Sequence, residues 1–273
     1  MSGVQSIDRA VAILRCFSGQ TPALGVTELA RATGLTTSTT HRLLEAMLTN
    51  RLVRRTADRR YALGPLVVQL VRSGGIPATL HDAAVGRMRT LRNDAEETVG
   101  LHKLLQTLER EVVEQVESHL PLRRTYTEIG VPIPLPHGAP GKVMLGFLPL
   151  HVQEVLLSKS IEPVTPTTIT DPETMRAQLV TIRELGFAMS FAERTHGIRS
   201  VAAPIFDHTD TVVGALSLSG PEIRMTRPRM RTLGEAVKVA AWSVSETLGA
   251  TTEGRQRCLQ KASEHPGTGA SGP

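Results

Sequence analysis

Residues 26–47, VTELARATGLTTSTTHRLLEAM, constrain this chain more than any other stretch, because their spacing fits a helix, a glycine turn and a second helix. Leu29 and Ala30 on the first segment, and Leu43, Leu44 and Met47 on the second, recur every three to four residues, the interval of a buried helical stripe. Thr27 is placed to cap the first helix, Gly34 to take the left-handed turn that ends it, and Thr36 or Thr37 to cap the second. The stripe leaves Thr, Ser, His and Arg outside, so the pair offers a polar, cationic face. That is the helix-turn-helix pattern, and it points to double-stranded DNA as a partner.

The flanks extend the same unit. Ile7, Ala10, Val11, Leu14 and Phe17 mark one face of a preceding helix capped by Ser6, so three helices can share a core. After the pair, Leu52 and Val53 lead into a turn around Thr56 to Arg59, and Tyr61 and Leu63 alternate outward and inward on the return, which predicts a two-stranded wing. Arg51, Arg54, Arg55, Arg59 and Arg60 crowd this hairpin, where guanidinium groups reach phosphates or a narrow minor groove. In a winged helix-turn-helix the second helix enters the major groove with its N-terminal residues at the base edges, here Thr37, Ser38, Thr39, Thr40, His41 and Arg42. Hydroxyl side chains bond bases and phosphates alike, and Ser38 and Thr39 read equally well as helix caps, His41 as a solvated position. Arg42 suits either a bidentate guanine contact or a phosphate clamp.

Charge is distributed accordingly. Residues 1–72 hold ten Arg, no Lys and four acids, a net +6 against +5 for the whole chain, so the other 201 residues are nearly neutral. A basic end beside a neutral remainder is the footprint of a nucleic-acid-binding module joined to something else. With 273 residues, 40% of them apolar, two domains of ordinary size are expected. Two cysteines, Cys16 and Cys258, in dissimilar surroundings argue against a disulfide framework. No window approaches the roughly 18 apolar residues of a membrane span and no secretory leader is evident, so no membrane partner and a cytoplasmic location are expected.

Beyond the wing, a short helix near Pro65 to Val71 leads through Ser73, Gly74 and Gly75 to a longer helix that Pro77 starts, bearing Leu80, Ala84, Met88 and Leu91. Strands are predicted at Thr98–Leu105, Glu111–Glu117, Phe187–Ala192, Ser200–Phe206 and Val212–Ser219. Helices are predicted at Ala139–Phe147, Leu150–Ser158, Pro172–Leu185 and Pro228–Leu248. This is an α+β pattern. The expected division is a winged helix-turn-helix domain over 1–66, linker helices over 67–94, an effector-binding domain over 95–250 and a disordered tail over 251–273.

Several chemistries are excluded by spacing. GAPGK lacks the phosphate-loop pattern, since Pro136 stands where its first glycine belongs and Val143 where Ser or Thr should follow the lysine. His102, His119, His137, His151, His196 and His208 are scattered without the close pairing of a zinc site. There is no GxSxG elbow, and aromatics at 3% are too few for a stacking platform on single strands. The chain is expected to be no enzyme and to need no metal or cofactor. Gly138, Ala139, Pro140 and Gly141 instead suggest a helix N-terminus open to an anion, naturally a carboxylate. Ser217 and Ser219 lie two apart on a predicted strand, so their hydroxyls share a side, for a ligand or for ordinary backbone bonds. Glu193 reads as a structural hydrogen-bond partner or as a pocket residue.

The chain resembles the IclR family of bacterial transcriptional regulators from about Val4 to Gly249. The resemblance is carried by QSIDRAVAIL, LARATGLTTSTTHRLLEAM and RYALG in the first part. In the second it is carried by IPLPHGAPGKVMLGFLP, TITD before a helix, RELGFAMSFAERTHGIRSVAAPIFD and ALSLSGP. Thr37 departs from the Lys often found there. The resemblance implies a GAF-like sheet that holds a small effector, with small carboxylates contacting the stretch matching Ala139 and Pro140, the position of Pro204, and Ser217 and Ser219. Pro204 replaces a polar or Cys residue of several members, which removes a side-chain hydrogen bond. It further implies a regulator, more often a repressor, that binds a palindromic operator as a homodimer or tetramer. An activator of the same family, or a metabolite-binding or catalytic protein with a non-specific basic module, are the alternatives.

Overall fold

In the computed structural model, which describes residues 4–18, 21–71, 73 and 79–253, the chain divides between Ala78 and Thr79 into two compact units. Gly74, Gly75, Pro77, Cys258 and the tail beyond Glu253, all drawn into the expectations above, lie outside the described residues.

The first unit is built from α1 (Gln5–Leu14), β1 (Ala23–Leu24), α2 (Val26–Thr33), α3 (Thr37–Thr49), β2 (Val53–Arg55), β3 (Tyr61–Leu63) and α4 (Pro65–Leu70). The turn chemistry holds at two of its three points. Gly34 ends α2 at φ 67°, and the amide of Leu35 reaches back to the carbonyl of Ala30, closing the helix in the left-handed manner that glycine allows. Thr36 caps α3 by accepting from the Thr39 amide at 3.2 Å. Thr27, however, is no cap: α2 starts earlier, and the Glu28 carboxylate accepts from the Gly25 amide at 2.6 Å, so the acid three residues on does the capping. Nor does Ser6 cap α1, which begins at Gln5 after Val4 and places Ser6 inside the first turn.

Ile13, Leu29, Leu44, Met47, Val53 and Tyr61 form the core of this unit, with Leu14, Phe17 and Leu43 packed against it. The buried face of α1 is therefore rotated from the expected one: Ile13 is fully buried, whereas Ile7 is 61% exposed and Val11 is also at the surface. The wing is a three-stranded sheet in the order β1-β3-β2, since the two-residue strand at Ala23–Leu24, too short to carry an alternation pattern, pairs with Tyr61 and Ala62. Tyr61 faces inward and Leu63 is 41% exposed, the reverse of the expected alternation.

The second unit comprises α5 (Leu80–Ala95), β4 (Thr98–Leu104), β5 (Glu109–Val116), β6 (Ile133–Pro134), α6 (Gly138–Phe147), α7 (Leu150–Leu157), α8 (Pro172–Leu185), β7 (Ala188–Phe191), β8 (Ile198–Phe206), β9 (Val212–Pro221) and α9 (Arg227–Thr247). Six antiparallel strands run in the order β6-β5-β4-β9-β8-β7. One face buries Val99, Leu101, Val201, Ala203, Leu216 and Leu218 against Met88 and Leu91 of α5 and Met230, Val237, Ala241 and Val244 of α9. The other face packs Ala188, Ala202 and Ala215 against Val143 and Met144 of α6 and Met175 and Leu179 of α8. Period-two alternation thus assigns odd positions of β8 to one helical layer and even positions to the other, giving the α+β, GAF-like architecture. Although α5 falls in the stretch read as linker, its Ala84, Met88 and Leu91 are core residues of this second unit.

Candidate functional site

Of the six residues expected to read bases on α3, Thr37, Ser38, His41 and Arg42 are exposed, and one turn of helix brings them to a single face. Thr40 is not among them. It is fully buried and its hydroxyl donates to the Thr36 carbonyl at 3.0 Å, so the helix period turns it into the core rather than toward a partner. Thr39 is half-buried, and its hydroxyl accepts from Thr36 at 2.9 Å, a capping role.

The wing arginines divide into two groups. Arg55 donates to the Tyr61 hydroxyl at 2.9 Å and to Glu45 at 3.3 Å, and Arg60 reaches Glu28 at 2.7 Å, so both are tied to the scaffold. Arg42, Arg54 and Arg59 make no ion pair among the described residues and are exposed. With Arg51, which is likewise exposed and makes no ion pair among the described residues, they are cations of this surface that can meet phosphate without first giving up a partner.

In the second unit one face of the sheet forms a cleft floored by hydroxyls. Ser190 of β7 pairs in register with Ser200 of β8, which pairs with Ser219 of β9, so three serines lie in a row across adjacent strands about 4.8 Å apart. The first turn of α6, at Gly138 and Pro140, borders the cleft, as do Arg110, Arg124 and Arg194; its enclosed part holds only about 30 Å³, and about 350 Å³ is reached when the open mouth is included. No carboxylate lines it among the described residues.

A buried chain of hydrogen bonds crosses its inner wall. Arg110 Nη1 lies 3.1 Å from His102 Nδ1, and guanidinium can only donate, so Nδ1 is the acceptor and Nε2 bears the proton. Nε2 then donates to Ser217 Oγ at 2.9 Å. The Tyr126 hydroxyl lies 3.2 Å from Ser217 Oγ and 2.8 Å from Ser219 Oγ. Burial, followed by the charges of Arg110, Arg194 and Arg124, holds the His102 imidazolium well below the usual histidine range, which agrees with a neutral ring. Burial and then Arg194 pull the Arg110 guanidinium below its ordinary range, without discharging it at neutral pH. At the rim, Glu128 accepts from Arg194 at 2.7 Å and from Arg124 at 2.9 Å. Burial acts to raise its carboxyl, but the bond from Arg194 and the two positive charges outweigh that and hold it at about 2.

The other expected effector residues separate. Ser219 and Pro140 line the cleft, and Ser217 stands behind it in the hydrogen-bond chain. Ala139 is fully buried in the apolar core, and Gly141 packs so closely on the Leu135 carbonyl that a Cβ there would lie 1.8 Å from that oxygen; both shape α6 and neither borders the cleft. Pro204 is four residues along β8 from Ser200 and lines a different depression with Phe147, Phe206 and Trp242. Ser200, not Pro204, is the β8 residue that faces Ser219. Glu193 is 5% exposed and lies 2.7 Å from Lys142 Nζ, which also donates to Gln178 at 2.9 Å, so it is a structural ion pair fastening α6 to the loop after β7. No local pattern singles out Arg110, Tyr126, Arg194, Ser190 or Ser200. Their one trace is period two: Thr98 and His102 on β4, and Ser217 and Ser219 on β9, place polar groups on one face of otherwise apolar strands.

A winged helix-turn-helix in one unit and a helix-covered α+β sheet in the other define a transcriptional regulator of the two-domain class. Residues 6–57 match the IclR helix-turn-helix domain and residues 78–246 the bacterial transcriptional regulator IclR C-terminal domain. The chain belongs to the IclR family of bacterial transcriptional regulators. Similar proteins include the acetate operon repressor of Salmonella typhimurium, 31% identical with 91% of each chain covered, and the transcriptional repressor IclR of Escherichia coli, 30% identical with 90% of each covered. The IclR structure from Thermotoga maritima matches with a TM-score of 0.59 at 25% identity, covering 91% of this chain and all of that one. Among the described residues no helix is long and apolar enough to cross a membrane.

Proposed function

We propose that this protein is a cytoplasmic repressor, acting as a homodimer or tetramer, whose operator affinity is set by a small organic carboxylate. Thr37, Ser38, His41 and Arg42 read the major groove, and Arg54 and Arg59 hold flanking phosphates. The carboxylate occupies the cleft over Ser190, Ser200 and Ser219. Neither step involves catalysis. The observation that carries this reading is the presence, in one chain of the family, of a helix-turn-helix with unpaired arginines and a separate arginine-bordered cleft that no carboxylate lines among the described residues, Glu128 meeting two of its arginines at the rim.

Two recognition helices related by a dimer axis fit half-sites about one helical turn, roughly 34 Å, apart, so the operator is palindromic. The effector changes operator affinity only through its differential affinity for the two arrangements of the dimer, and a coupling of about 1–3 kcal/mol shifts DNA binding roughly 5- to 150-fold. The test is a footprint on the region upstream of the protein's own gene at near-physiological salt, with excess random DNA. A protected palindrome, weakened by small carboxylates, is the expected result. Protection no greater than on random DNA overturns the operator reading. In the double variant Ser217→Ala, Ser219→Ala, operator binding persists and the carboxylate response is lost; a full response there overturns the assignment of the cleft.

A further inference from the structure

The cleft holds more positive charge than one carboxylate neutralises. Arg124 and Arg194 share the single carboxylate of Glu128 at the rim, leaving one positive charge there. Arg110 lies deeper, at 2% exposure, while the side chains of Arg124 and Arg194 are 14% and 23% exposed. Among the described residues its donors meet only the neutral His102 ring and the His137 carbonyl at 3.2 Å, its Nε finds no acceptor, and no carboxylate comes within ion-pair distance. A buried cation answered only by neutral acceptors is costly, and it is retained where an anion completes it. The same cleft is lined by Ser190, Ser200 and Ser219, and the hydroxyls of Ser190 and Ser200 make no hydrogen bond with any described residue.

We infer that the effector is a short dicarboxylate, one end held by Arg110 at the inner wall and the other by Arg124 and Arg194 at the rim, with its middle over the serine row. This rests on the reading of the cleft as the effector site and adds the second anionic group. Two loci, each with one surplus positive charge, match a dianion; a monoacid leaves one of them unanswered. The small space and the serine spacing favour a chain of a few carbons over a bulky ring system.

The test uses the full-length protein and a set of near-isosteric probes read by calorimetry at neutral pH: succinate and glutarate as dianions, succinamate and butyrate as monoanions, and succinamide as the neutral control. A dicarboxylate is expected to bind at least tenfold more tightly than its monoacid counterparts. Arg110→Gln is expected to bring succinate and succinamate to equal affinity while operator binding by the free protein persists. Should that variant fail to fold, the comparison of probes on the parent protein still decides the matter. Equal binding of succinate and succinamate to the parent overturns the dianion and leaves the carboxylate reading standing. Binding of succinamide alone overturns both, and binding of none of these probes overturns the dicarboxylate.

Discussion

Arginine serves opposite ends in the two units. On the reading face Arg42, Arg54 and Arg59 are exposed, solvated and unpaired, so they cost the fold nothing and remain available to phosphate. In the cleft Arg110 is buried, fixed by His102 and the His137 carbonyl, and its orientation is set before any ligand arrives. Exposed cations give long-range attraction that salt screens; a buried one gives short-range selection that salt hardly touches. The difference between the units is therefore one of solvation rather than of residue type, and on the proposed function it separates affinity for a polyanion from recognition of a small one.

The largest effect is expected where burial is deepest. Lys142→Met strands the Glu193 carboxylate without its partner and costs about 3–5 kcal/mol of stability in urea unfolding. Glu45→Gln, which breaks the exposed pair with Arg55 and leaves the Arg55 bond to Tyr61 in place, leaves unfolding close to that of the parent. Comparable losses in both would erase the contrast between the units. Next, Arg42→Ala should weaken operator binding by about 1–3 kcal/mol, and more on the operator than on random DNA if Arg42 reads a base. Equal loss on both DNAs assigns it to a phosphate, and in that case the slope of log K against log salt falls by about one.

A pH profile sharpens the comparison at the rim. The Glu128 carboxyl is held at about 2 in the folded protein against its ordinary 4.5, so the stability it confers is complete above about pH 5 and is lost as pH falls through 4 toward 2. With its side chain 20% exposed, solvent screening reduces this to about 1–2 kcal/mol. Glu128→Gln should flatten the acid limb of the stability profile, and an unchanged limb would refute the assignment. The smallest effect belongs to the cap of the reading helix: Thr36→Ala removes the bond to the Thr39 amide and costs about 1 kcal/mol, measured as a lowered midpoint of thermal unfolding.

Local chemistry was legible wherever a residue acts on its near neighbours in the chain. Gly34 at the turn, Thr36 at the cap, the stripe through Leu29, Leu44 and Met47, and the strand and helix succession of the second unit all follow from spacing, because hydrogen bonds and helical faces are set within four residues. So did the two-part organisation, through the concentration of arginine in residues 1–72. Tertiary structure decided the rest. Thr40 and Thr37 are alike in sequence, yet only packing buries the first, and only packing exposes Ile7 while burying Ile13. The cleft draws His102 and Ser217 together across 115 positions and Tyr126 and Ser219 across 93. No local period records such a meeting. Whether an arginine is a solvated cation or a buried one depends on what the fold removes from water, and that is a property of the packed sheet and its helices rather than of any segment alone.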